Sequence, residues 1–167
     1  MKASMRALLG ASLAIAGCGH ARREVTEAYD TDRIRAAVFQ HVLAQPFSEA
    51  SLGDGLVYCL DFESYKSAPF SGWNREGPRF VVPVDECKIS AAGVTLAGRR
   101  PGAVAGTAAK ITGSFLSVRD FDWATRDKVH ATLNVYCGGL CGGWSDVELV
   151  RSGDGWEVTS LENRGRY

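Results

Sequence analysis

From Lys128 to Cys137 the chain alternates without a break. Val129, Ala131, Leu133, Val135 and Cys137 hold the odd positions; Lys128, His130, Thr132, Asn134 and Tyr136 hold the even ones. Successive side chains of a strand point to opposite faces, so this run predicts a strand with one buried and one wet face. Trp144 to Arg151 repeats the pattern, with Val147 and Leu149 alternating against Asp146 and Glu148. Asp154-Gly155 then marks a hairpin turn into Trp156-Glu157-Val158. Ile111 to Val118 precedes these strands, and its face switches at Phe115-Leu116, which predicts a bulge there. The C-terminal third therefore reads as an antiparallel meander.

Upstream the pattern is shorter. Leu56 to Leu60 and Phe80 to Val84 are β-rich runs separated by an irregular stretch from Ser64 to Pro78. Residues 91–109 read as a Gly- and Ala-rich loop around a short strand at Val94-Thr95-Leu96. Before all of these, Asp30-Thr31-Asp32 offers N-cap residues ahead of Ile34, Ala37, Val38 and Val42, at helical spacing, and Pro46 stops the run. A helix over 31–45 docking through Ile34, Val38 and Val42 is expected. The fold class predicted is α+β, an N-terminal helix packed on a curved antiparallel sheet.

That order resembles the cystatin-like and NTF2-like folds. The similar stretches are Ile34 to Phe39, Val57 to Leu60, and Val147 to Val150 through Gly155-Trp156-Glu157-Val158. They are mostly core and turn positions, so the resemblance implies fold far more than function. It carries over no catalytic residue, because no carboxylate or histidine of the enzymatic NTF2-like families matches a position here.

The N-terminus is more specific. Met1 to Arg6 carries two basic residues and no acid, and Ala7 to Ala16 is an apolar run. A spanning helix needs about 20 such residues, so the run predicts a signal-peptide core. It ends Ile15-Ala16-Gly17-Cys18, which resembles the lipobox of bacterial lipoproteins. The resemblance implies cleavage before Cys18 and diacylglycerol on that cysteine, membrane lipid being its first partner. Two or more acyl chains suffice for stable anchoring. In Gram-negative relatives an Asp after the cysteine often marks inner-membrane retention; Gly19 stands here, which favours the outer membrane facing the periplasm. The expected organisation is a signal peptide over 1–17, a polar lipidated tether over 18–30 and one α+β domain over 31–167.

Charge adds little. Lys+Arg and Asp+Glu number 19 each, and removal of Lys2 and Arg6 leaves 17 − 19 = −2. Arg22-Arg23 and Arg99-Arg100 are short and isolated, so no nucleic-acid partner is expected.

Four cysteines remain beside Cys18: Cys59, Cys87, Cys137 and Cys141. An even number in an exported chain argues for disulfides, and four allow three pairings. Along one extended strand residues 137 and 141 would lie roughly 13 Å apart. A turn through Gly138-Gly139-Leu140 instead brings them face to face, with Cys137 on the buried face, and leaves Cys59 for Cys87. A redox pair and a metal site are the competing readings. Cys-x3-Cys lacks the thioredoxin spacing, and His130 sits an odd number of residues before Cys137, on the opposite face of a continuous strand.

The motif search ends there. Gly102 to Lys110 has no Gly-Lys-Ser/Thr ending, and Asp120-x-Asp122 fails as a calcium loop at Ala124 and Thr125. His20 falls in the tether, His41 on the helix and His130 on the wet face. Trp73, Trp123 and Trp144 fit core or rim packing, with a binding surface as the other reading. No cofactor, metal or catalytic residue is expected. The function expected is a non-enzymatic envelope lipoprotein that binds another envelope protein, as an inhibitor, immunity-type factor or assembly accessory. The alternative is an NTF2-like small-ligand-binding or enzymatic domain with an apolar pocket.

Overall fold

The computed structural model describes residues 18–45, 56–63, 70–75, 79–97, 112–139 and 141–166. The expected signal peptide lies outside these residues, and of Cys18 only the backbone is described. Among the described residues one α-helix, α1 (Cys18–Ala44), is followed by eight strands: β1 (Leu56–Asp61), β2 (Arg79–Pro83), β3 (Cys87–Ser90), β4 (Gly93–Leu96), β5 (Thr112–Thr125), β6 (Lys128–Gly138), β7 (Cys141–Ser152) and β8 (Gly155–Arg166), with a 3-10 turn at Val84–Glu86 between β2 and β3.

The strands form a single mixed sheet in the order β2-β1-β5-β6-β7-β8, with the β3–β4 hairpin attached through β4 to β5. From β5 to β8 it is an antiparallel meander in chain order. β1, however, runs parallel to both β2 and β5. This overturns the α+β, cystatin-like or NTF2-like expectation: the described chain is mostly strand, the sheet is mixed, and α1 is its one helix. The physical reason lies in Leu56-Val57-Tyr58-Cys59-Leu60, all five buried. An unbroken apolar run belongs to a strand covered on both faces, as parallel strands are, and not to one half of a wet-faced meander.

Two apolar clusters cover those faces. On the inner face Leu56, Tyr58 and Leu60 join Leu116, Val118, Val129, Ala131, Leu133, Val147 and Leu149, against Ile34, Val38 and Phe39 of α1. On the outer face Val57, Cys59, Val82 and Val94 form a smaller cluster beneath the β3–β4 hairpin. The buried faces of β6 and β7 follow the expected alternation.

Other boundaries differ. The helix begins at Cys18 and not at Thr31, because Ala21 to Arg23, Glu24 and Ala28 are good helix formers that need no apolar stripe. Asp32 is buried, and its Oδ1 accepts from the Glu63 amide at 3.1 Å. The irregularities of β5 fall between Arg119 and Asp122 and between Trp123 and Thr125, not at Phe115-Leu116. Asp120 has a φ of 54° at the first of them. β3 was not foreseen, since Cys87 to Ser90 is mostly exposed and pairs only with β4.

Candidate protein-binding face

Two turns converge on the outer face where β6 ends. Gly138 (φ 102°) closes against the backbone of Gly93, an approach that a side chain at Gly138 would block, and Gly93 itself has a φ of 129°. The Gly139 amide donates to Ala91 O at 2.9 Å, and the Tyr136 hydroxyl donates to Ser90 O at 2.9 Å. The end of the β6–β7 hairpin is thereby locked onto the β3–β4 hairpin. Cys137–Cys141 closes the first hairpin, and Cys59–Cys87 ties β3 to the buried strand β1, with Cα separations of 5.2 and 6.3 Å. Cys137 is half-buried and Cys141 exposed, so the first cystine sits at the rim of the sheet and not in its core. The bulge between Tyr136 and Gly138 breaks the face that the alternation would have assigned to Cys137.

These braces hold an apolar patch open to solvent. Ile89, Phe115, Tyr136 and Arg119 line a shallow depression of about 550 Å³, floored by the buried Ser117. Ile89 is 41% exposed. Asn134 pairs with Trp144 across β6 and β7, which sets the indole, 37% exposed, beside the depression. The Trp144 ring lies over Gly165 of β8, where a side chain would collide with it. Arg119 is fixed by Asp61 at 3.1 Å. Tyr, Trp and Arg on a rigid, partly apolar surface are the residue types that dominate protein–protein interfaces.

Farther along the same face the cross-strand pairs become charged. Lys128 Nζ meets Glu148 at 3.0 Å, His130 Nδ1 lies 3.5 Å from the same carboxylate, and Arg164 bridges Asp146 at 2.7 Å and Glu162 at 3.1 Å. The hydrogen bond donated by Lys128 holds Glu148 below the ordinary glutamate value, and the one that Arg164 donates to Asp146 raises Arg164 above its own. All of this is solvated surface without a nucleophile–base pair.

The inner face also carries an opening. Beside the last turn of α1, His41, Val42, Leu133, Val135, Val158 and Leu161 line an apolar groove of about 560 Å³, open to solvent. His41 Nε2 lies 3.4 Å from Gln45 Nε2. Among the described residues no three His, Cys, Asp or Glu side chains form a group able to hold a metal.

The tryptophans separate by role. Trp73 packs edge-on against Phe62 and Phe70, and Trp123 against Trp156; Trp144 alone of the three belongs to the patch. Ile89, Phe115 and Tyr136 were missed from the sequence. Tyr136 on the wet face of an alternating strand was the available signal.

Two cystines indicate an oxidising, extracellular or periplasmic compartment. No described helix is long and apolar enough to cross a membrane. No protein-family model, curated protein or solved structure matches this chain.

Proposed function

We propose that the chain is a lipid-anchored protein of the bacterial cell envelope that binds another envelope protein through the outer face of its sheet. The observation that carries this reading is the exposed patch of Ile89, Phe115, Tyr136 and Trp144, braced by both cystines and by the Tyr136–Ser90 bond. Preorganised aromatic area loses little freedom on docking, which is what makes such a patch adhesive. The anchor rests on Cys18 and the residues before it. Its outer-membrane placement, facing the periplasm, rests on Gly19. An inhibitor, an immunity-type factor and an assembly accessory would all use a surface of this kind. The competing reading, a small apolar ligand, would use the groove beside His41 instead.

A photo-crosslinking residue placed at position 89 in cells tests the reading. A discrete adduct with one envelope protein, lost in Trp144→Ala and absent when the crosslinker stands at Arg126, is the expected result. Adducts of equal intensity from both positions would sink the proposal. Cys18→Ser, labelled with fatty acid in parallel, should lose both the label and membrane partition.

A further inference from the structure

We propose that the outer-face depression takes a tyrosine of the partner protein, its ring against the apolar walls and its hydroxyl on Ser117 and Asn134. This rests on that face being the protein-binding surface, and it names what the surface grips. Leu116 and Val118 belong to the inner cluster, so alternation along β5 turns Ser117 to the outer face, where it floors the depression. Ser117 is 3% exposed. Across β5 and β6 it stands opposite Asn134, with Cβ atoms about 5 Å apart, and Asn134 lines the same depression. Among the described residues neither side chain makes a hydrogen bond, to the other or to any third group. Polar groups at the bottom of an apolar hollow are costly to cover unless the occupant bonds to them.

The rest of the hollow says what that occupant is. Ile89, Phe115 and Tyr136 wall it, and the Tyr136 hydroxyl already donates to Ser90 O, so that ring offers its surface alone. Arg119, the cation among the lining residues, is paired with Asp61 at 3.1 Å, which leaves little net charge to hold an ionic side chain. A phenylalanine or leucine seated here would cover Ser117 and Asn134 without answering either. An indole only donates. A phenol both donates and accepts, at the far end of a flat apolar ring. That matches a hydroxyl and a carboxamide lying side by side beneath apolar walls.

The test titrates the detergent-solubilised full-length protein with N-acetyltyrosinamide and with N-acetylphenylalaninamide, followed by NMR at the Ile89 methyls. The tyrosine amide should bind about tenfold tighter, the worth of one or two hydrogen bonds. In Ser117→Ala with Asn134→Leu the two probes should bind equally, through the walls alone. The melting midpoint of that double variant should hold or rise, because neither lost group has a bond within the described fold to lose. No shift from either probe, equal affinities in the wild type, or a preference that survives the double variant would overturn the proposal. So would a lowered midpoint, which would assign the pair to the fold. An adduct from a crosslinker at position 89 together with equal probe affinities rejects the tyrosine and keeps the protein-binding face; absence of the adduct rejects the face, and the proposal with it.

Discussion

Arg35 and Asp32 stand one turn apart on α1, with Nη1 of the first 3.0 Å from Oδ1 of the second, and both side chains are largely buried. The same guanidinium reaches Glu63 at 3.1 Å and Val118 O at 3.3 Å and lies over the ring of Phe121. One side chain thus ties the helix to the end of β1 and to the middle of β5. Replacing it takes the Arg35 guanidinium away from the buried Asp32 carboxylate. We expect Arg35→Ala to cost about 3 kcal/mol, read as a shift of the urea midpoint. A shift of a few tenths of that would mean the pair behaves as an exposed one.

Val38 is fully buried and shares a cluster with Leu116, Val129 and Leu149. Val38→Asp places an unpaired charge there, and several kcal/mol should be lost. Val42 lies at the groove and is only half-buried. Val42→Ala should cost much less, about 1 kcal/mol or under. Thermal melts of the two variants give the comparison; equal losses would contradict the packing of α1.

The meander was legible because alternation is a local signal: each of Val129, Ala131, Leu133, Val147 and Leu149 states its own face. The parallel pairing was not. β1 lies between β2 and β5, and only contacts distant in sequence set that arrangement, so the apolar run at Leu56 to Leu60 reads from sequence only as a strand of an antiparallel sheet. The start of α1 was missed for a different reason. Helix propensity alone carries residues 18–30, where no apolar stripe announces it. The patch was legible only in part: Trp144 and Tyr136 could be placed on a wet face. That Ile89 and Phe115 join them depends on the β3–β4 hairpin folding over β5 and β6.

Glu148 should titrate below 4.5, the ordinary glutamate value, because Lys128 donates to its carboxylate. A carboxyl whose folded value is depressed binds fewer protons when folded than when unfolded at acid pH. Its contribution to stability is therefore present above the ordinary value and disappears as pH falls through the depressed one. The pair is exposed, so added salt should weaken the effect. Carboxyl-detected NMR titration of wild type and Lys128→Met gives the check: the Glu148 midpoint should rise in the variant and stay unmoved only if the ion pair is not formed in solution.

The two cystines should differ in what they stabilise. Cys59 and Cys87 are 28 residues apart, Cys137 and Cys141 only 4. Closing those loops removes unfolded-state entropy worth about 3.5 and about 2 kcal/mol respectively at 25 °C. Cys59 is also fully buried among Val57, Val82 and Val94, so its replacement by alanine loses packing as well as the bond. Cys59→Ala with Cys87→Ala should thus lower the denaturation midpoint far more than Cys137→Ala with Cys141→Ala. The second pair closes the hairpin that Tyr136 and Gly139 dock onto β3 and β4. Its loss should loosen the patch while the sheet stands, so crosslinking from position 89 falls in a protein that still melts cooperatively. Equal destabilisation by both double variants would show that the loop lengths do not set the balance. Undiminished crosslinking without Cys137–Cys141 would show that the patch does not depend on that brace.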